Sequence, residues 1–182
     1  MTETVAQCLL LFRHAKSAWD NPQLPDEARP LSERGVEAAG VMGRTIAALN
    51  LSPDRVLVSP ARRATRTWEI AASGMTNPPA AEITPGLYDF GDGSRLMEVI
   101  RANGGNSRVL MLVGHNPSIE ELARRLIASG DKRLRAKLES KFPTAALAVI
   151  RFNQSAWAQL TEGSGTLIHF IRPRDVTEAT SD

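Results

Sequence analysis

Three short apolar runs, each ending abruptly in a polar cluster, do most to limit what this chain can fold into. They are Cys8 to Phe12 (CLLLF), Arg55 to Val58 (RVLV) and Arg108 to Val113 (RVLMLV). Runs this short and this continuously apolar suit strands buried on both faces of a parallel sheet. Between them the apolar residues fall at helical spacing. Ser32 stands as an N-cap before Val36, Ala39, Gly40, Met42 and Ile46, and Leu51 to Pro53 break that helix. Ser59 and Pro60 read as the N-cap and first-turn proline of a helix reaching Ala71. A further helix covers Leu96 to Arg101, and Pro117 opens one that carries Ile119, Leu122, Ala123, Leu126 and Ile127. Ser73 to Pro85 reads as a loop with a short strand near Glu82 and Ile83. After a charged patch from Asp131 to Lys141, read as solvated with a partner-docking surface as the alternative, Ala145 to Phe152 and Thr166 to Arg172 are expected as strands, with Ala156 to Leu160 pairing between them. Strands alternating with helices imply an α/β fold with a mostly parallel sheet. Residues 1–174 are expected to form one domain, and the polar residues 175–182 a flexible tail.

Composition narrows the function classes. Lys and Arg number 22 against 20 Asp and Glu, a net charge of only +2, and aromatics are few. A nucleic-acid surface needs a basic stripe with aromatics along it, so no nucleic-acid partner is expected. The lone Cys8 lies inside an apolar run, which suits a buried thiol in a reducing, cytosolic compartment. The apolar stretch from Val5 is short and is cut off by Arg13 and His14, unlike a secretory signal. No stretch is long enough to span a membrane, so a soluble, cytoplasmic protein is expected.

In parallel sheets ligands bind at the carboxyl ends of the strands, and the three polar clusters fall there. The first is Arg13-His14-Ala15-Lys16-Ser17, a permanent cation beside a titratable nitrogen. Alone it also fits a histidine merely hydrogen-bonded to backbone. The second, Ser59-Pro60-Ala61-Arg62-Arg63-Ala64, sets arginines in the first turn of a helix, against its dipole. A bound anion would reverse the sign of that interaction. The spacing alone does not choose among Arg62, Arg63 and Arg66, any of which suits a solvated face. The third, Val113-Gly114-His115-Asn116-Pro117, holds a histidine at a helix start. Together, two histidines and two arginines on one sheet edge suit phosphoryl transfer, with guanidinium groups around the phosphoryl oxygens and an imidazole as nucleophile. There is no Walker loop, acidic cluster or metal-ligand histidine spacing, so neither metal nor cofactor is expected.

The run Leu11 to Ser17 resembles the Arg-His-Gly or Arg-His-Ala motif of the histidine phosphatase superfamily. The stretch to Trp19, with Arg29-Pro30-Leu31 and Arg34-Gly35, is similar to the SixA-type phosphohistidine phosphatases. Val58-Ser59-Pro60 with Arg63-Ala64 and Thr67 resembles the second motif, and Val113 to Pro117 the third. The resemblance implies a three-layer α/β/α sandwich of the phosphoglycerate mutase-like kind. It implies His14 as the phosphorylated nucleophile, Arg13 and Arg63 as phosphate clamps, and His115 as the group completing the pocket. The Ala after the motif arginine selects Arg63. Ser17 and Asn116 are further candidates to line the site, and Arg29 to brace the loop, with an exposed salt bridge as its favoured alternative. Many members place a general acid between the second and third motifs, where Asp89 is the positional candidate here, with a turn residue as the alternative. The implied partner is a phosphorylated protein, such as a histidine-phosphotransfer domain, and the implied reaction is phosphohistidine hydrolysis. The competing readings are a broad phosphomonoesterase acting on small phosphoesters and a non-catalytic phosphate-binding module.

Overall fold

A computed structural model describes residues 6–154 and 156–179. The elements in chain order are β1 (Gln7–Arg13), α1 (Glu33–Ala48), β2 (Arg55–Val58), α2 (Arg62–Ala72), β3 (Ala81–Ile83), α3 (Ser94–Asn103) and β4 (Val109–Gly114). There follow α4 (Ser118–Leu126), β5 (Ile127–Gly130), α5 (Lys132–Ser140), β6 (Leu147–Phe152), β7 (Gly165–Ile171) and α6 (Pro173–Ala179).

The strands form a seven-stranded sheet in the order β3-β2-β4-β1-β6-β7-β5. β6 pairs antiparallel with both β1 and β7, while the other pairings are parallel. Strand period puts alternate residues on opposite faces, and here both faces are covered. Leu9, Leu11, Leu110, Leu112, Ala148 and Ile150 meet apolar residues of α3, α4 and α5 on one side. Leu10, Phe12, Met111, Val113, Leu147 and Val149 meet those of α1 and α2 on the other, with Val176 of α6 packed against them. Two apolar layers against one sheet make a three-layer α/β/α sandwich, and they explain why the core strands carry no polar alternation.

The three strands that end in the polar clusters are neighbours, β2-β4-β1, and parallel. β4, though later in the chain, is inserted between β1 and β2. The carboxyl ends of all three therefore open on one crevice, as in other open α/β sheets.

Some expectations are corrected. Ala156 to Leu160 contribute no strand: Trp157–Gln159 form a 3-10 turn, and β6 pairs directly with β7. Trp157 Nε1–H donates to Ser107 O at 2.8 Å, a side-chain anchor that an apolar-pattern reading cannot see. Ile127 leaves the helix to begin β5 on the sheet edge. The charged stretch after it is helix α5, N-capped by the Asp131 carboxylate, with Leu138 buried beneath its polar face. Ser59 lies two residues outside the observed helix N-cap, Ala61, because its hydroxyl is engaged elsewhere. Helix α6 (Pro173–Ala179) runs into the stretch expected as a flexible tail as far as residue 179, and Asp175 bonds Arg172 and Lys137. Residues 180–182 lie outside the described residues.

The loop after β1 is pinned to α1 at a very close approach. Lys16 O accepts from both the backbone N–H and the hydroxyl of Ser32, the α1 N-cap. A Cβ on Gly35, one turn later, would stand 2.2 Å from that same carbonyl. Gly35→Ala should therefore destabilise the fold by at least ~1–3 kcal/mol, since backbone must move to admit the methyl group. A urea midpoint equal to wild type would contradict this packing account.

Candidate active site

Backbone bonds fix where His14 sits. Its N–H donates to Gly114 O at 3.0 Å, and its carbonyl, like that of Arg13, accepts from Ala145 N at 3.1 Å. Ala145 holds a left-handed φ of 58° at this crossing, a conformation that non-glycine residues rarely adopt and that the surrounding bonds impose. Ala15 N donates to Thr67 Oγ1 at 2.9 Å, and that hydroxyl donates in turn to Arg63 O at 2.6 Å. Thr67 thus ties the first cluster to the second.

The imidazole tautomer follows from its partner. Nδ1 of His14 lies 2.7 Å from Ala15 O, which can only accept, so Nδ1 carries the hydrogen. Nε2 is left with its lone pair, and Arg63 Nε donates toward it at 3.4 Å. His115 is arranged the other way round. Its Nδ1 accepts from Arg63 Nη2 at 3.3 Å, so its Nε2 donates to Ser59 Oγ at 2.7 Å. Ser59 Oγ also accepts from Ala61 N, which explains its absence from the helix cap. One guanidinium therefore lies between two neutral histidines whose ring centres are 5.0 Å apart.

Burial lowers the His14 pKa to about 4, opposed by the Ala15 carbonyl and reinforced by Arg63, Arg13 and Arg29. Burial likewise lowers His115 to about 3, with His14 and Arg63 adding to it and Asp26 opposing. Both rings are neutral at pH 7, so His14 presents an unprotonated nitrogen without a separate base.

Arg63, only 2% exposed, is further held by Asp26. Its Nη1 donates to Asp26 O at 2.6 Å and its Nη2 to Asp26 Oδ2 at 2.8 Å. Tyr88 Oη–H reaches that same Oδ2 at 2.7 Å, and Arg29 pairs with Oδ1. Hydrogen bonds from Tyr88 and Arg63, aided by the charges of Arg63 and Arg29, outweigh burial and keep the Asp26 carboxyl below its usual range. Asp26 is thus an ionised positioning group. Arg13 projects from the end of β1, and its Nη1 donates to Phe142 O at 2.7 Å. The cleft in front of these groups holds about 550 Å³ and is lined by Arg13, His14, Ser17 and Arg63 with Lys16, Arg29, Arg34 and Lys141. Trp19 and Phe90, both exposed, also stand in its wall, and no carboxylate does among the described residues.

Comparison with known proteins fits this geometry. The model of the histidine phosphatase superfamily (branch 1) matches residues 9–96. An uncharacterized protein of Mycobacterium tuberculosis is 36% identical over 165 residues, covering 90% of this chain and 100% of that protein. The chain belongs to the histidine phosphatase superfamily. The phosphohistidine phosphatase SixA of Escherichia coli is 28% identical over 149 residues, 81% of this chain and 86% of its own. The crystal structure assigned as SixA from Agrobacterium tumefaciens superposes with a TM-score of 0.75 at 29% identity, covering 92% of this chain and 98% of that one. The layers and sheet are those of the phosphoglycerate mutase-like fold, and the coarse activity that goes with this membership is that of a phosphatase.

Of the residues expected at a histidine phosphatase site, Arg13, His14, Arg63 and His115 come together. Ser17, 7% exposed, lines the cleft. Asn116 does not: its Nδ2 donates to Glu120 Oε2 at 2.8 Å and to Phe142 O at 3.1 Å. It shares that carbonyl with Arg13 and so helps to position the arginine. Asp89 accepts from Gly91 N at 3.0 Å and closes its own turn, while its neighbour Phe90 faces His115 with ring centres 5.1 Å apart. The turn alternative is the one its contacts match. Arg29 forms the expected salt bridge, with Asp26, and its guanidinium stacks 3.6 Å above the Trp19 ring centre. Sequence reasoning missed Asp26 and Tyr88. Asp26 lies three residues before Arg29, and nothing in the spacing brings it near Arg63.

Two outcomes follow. Arg63→Lys keeps the charge but cannot reach both histidines and Asp26 in one plane, so phosphatase kcat/KM should fall about 100-fold; retention of near-wild-type rate would contradict the assigned geometry. For stability, the folded pKa values of about 4 and about 3 lie below the ordinary 6.5, so the unfolded chain binds protons first as pH falls. Stability should therefore be full above pH 6.5 and decline toward pH 4. The decline, followed as Tm, should be shallower in His115→Gln; equal slopes would contradict the buried neutral pair.

Proposed function

We propose that the protein hydrolyses phosphohistidine on a protein substrate, without a metal, through a covalent phosphohistidine on His14. The observation that carries this reading is the His14 tautomer: Nδ1–H is engaged by Ala15 O, which leaves the ring's lone pair on Nε2, toward which Arg63 Nε donates at 3.4 Å. Nε2 attacks the phosphorus as the bond to the substrate nitrogen breaks. The departing ring, once its other nitrogen carries a proton, leaves as neutral imidazole. Water then attacks the phosphoenzyme, releasing phosphate and restoring His14.

Arg13 and Arg63 meet the charge that spreads over the equatorial oxygens. Arg13 lines the cleft beside His14, which places its guanidinium against an anion bound there. His115 accepts from Arg63 in the unliganded site, and a phosphate dianion nearby favours its protonation, which converts Nδ1 to a donor. Support for a phosphohistidine substrate comes from the acids. Asp89 is spent in its turn, and Asp26 is kept ionised by Arg63 and Arg29. An alkoxide leaving group needs a proton in the transition state, and a protonated phosphoimidazole does not.

The experiment compares phosphate release from a phosphohistidine-bearing protein and from a panel of phosphomonoesters, with chelator present. Turnover should be at least ten-fold faster on phosphohistidine, unaffected by chelator and abolished in His14→Ala. Equal rates on both substrate classes would move the assignment to a broad phosphomonoesterase, and activity surviving in His14→Ala would remove the nucleophile.

A further inference from the structure

We propose that a second groove, opening beside the catalytic cleft, docks acidic residues that flank the phosphorylated residue of the protein substrate. The proposal rests on the reading that the cleft takes a phosphoryl group carried by a protein. The groove holds about 330 Å³ and shares Lys16, Arg34, Lys141, Pro143 and Thr144 with the catalytic cleft, so the two are continuous. It extends away from His14 over α1, the end of α5 and the start of α6, where Arg172 and Arg174 join its wall. No Asp or Glu lines either cavity among the described residues.

The cations there differ in what they are committed to. Arg172 is spent on Asp175, at 2.9 Å. Lys16, Arg34, Lys141 and Arg174 form no ion pair among the described residues, although salt bridges are frequent elsewhere on the surface. Four uncompensated cations around a concavity repel one another and focus a positive potential into it. The chain as a whole carries only +2, so this concentration is local.

The lining distinguishes a peptide from a small polyanion. Ala38, Pro143 and Pro173 give the groove an apolar floor, and Ser140 and Thr144 add hydroxyls. Such a floor suits the aliphatic stems of Asp and Glu on an extended chain, with the carboxylates reaching the cations at the rim. A polyphosphate chain has no apolar surface to set against it. Because the groove meets the cleft along the Lys16, Arg34 and Lys141 edge, a phosphoryl group at His14 and acidic residues beside it can be held at once. Individual exposed charge pairs are weak and salt-sensitive, so the effect depends on several acting together.

The test is equilibrium binding by fluorescence anisotropy of two labelled peptides that carry the same non-hydrolysable phosphonate. One has Asp and Glu flanks and the other alanine flanks. The acidic peptide should bind about ten-fold tighter at low ionic strength, and the ratio should shrink toward one at high salt. Arg174→Gln should lower the ratio two- to three-fold, and Arg34→Gln with Arg174→Gln should bring it close to one. A wild-type ratio near one, no measurable binding of either peptide, or a ratio unchanged in the double variant would overturn the proposal. So would displacement of the acidic peptide by inorganic polyphosphate more readily than by a phosphate-free acidic peptide, which would assign the groove to a small polyanion. The phosphonate is never turned over, so a failure of phosphohistidine hydrolysis strikes the proposed function and leaves this ratio standing.

Discussion

The short hydrogen bond from His14 Nδ1–H to the carbonyl of its own neighbour, Ala15, decides which ring nitrogen faces the cleft. A neutral imidazole has one donor and one acceptor nitrogen, so fixing one fixes the other. The bond is meaningful only because Ala15 cannot drift. Thr67 holds its N–H, Gly114 and Ala145 hold the backbone of His14, and Ser32 holds the carbonyl of Lys16. These holds come from four separate stretches of the chain: α2, β4, the turn before β6 and the N-cap of α1. Much of the architecture around β1 serves to make one carbonyl stationary.

Charge is balanced in the same economical way. Arg63 is almost fully buried between two histidines, and an unpaired guanidinium there would be costly. Asp26 supplies the counter-charge, and its own exposed edge is shared by Arg29 and Tyr88. The arrangement keeps Asp26 an anion, with no proton to donate. It also keeps Arg63 in a plane that touches both rings. The result is a site with fixed positive donors, neutral imidazoles and, among the described residues, no acid in its wall, which suits a leaving group that needs no proton from the enzyme.

How much of this was legible in the sequence depended on whether one strand or two distant segments carried the signal. The buried strands β1, β2 and β4 were readable because both faces are covered, and that forces unbroken apolar runs. Arg13, His14 and His115 were readable because each sits just after such a run, whereas position alone did not separate Arg63 from Arg62 and Arg66 and only the family resemblance singled it out. Asp26 was not, since its role depends on a loop folding back over α2. The helical α5 was hidden by its charge, because a helix that buries little more than Leu138 gives no periodic stripe. The turn at Trp157 was misread as a strand because its apolar residues anchor through an indole hydrogen bond and edge packing on Phe152, not through pairing.

The most direct measurement is the tautomer and titration of His14 by two-dimensional NMR of the nitrogen-15-labelled imidazole, with His14→Gln to assign the signal. The expected spectrum at pH 7 shows Nδ1 protonated, Nε2 bare, and a midpoint far below 6.5, near 4. A bare Nδ1, or a midpoint at the ordinary histidine value, would mean that Ala15 does not hold the ring and that the nucleophile is not Nε2.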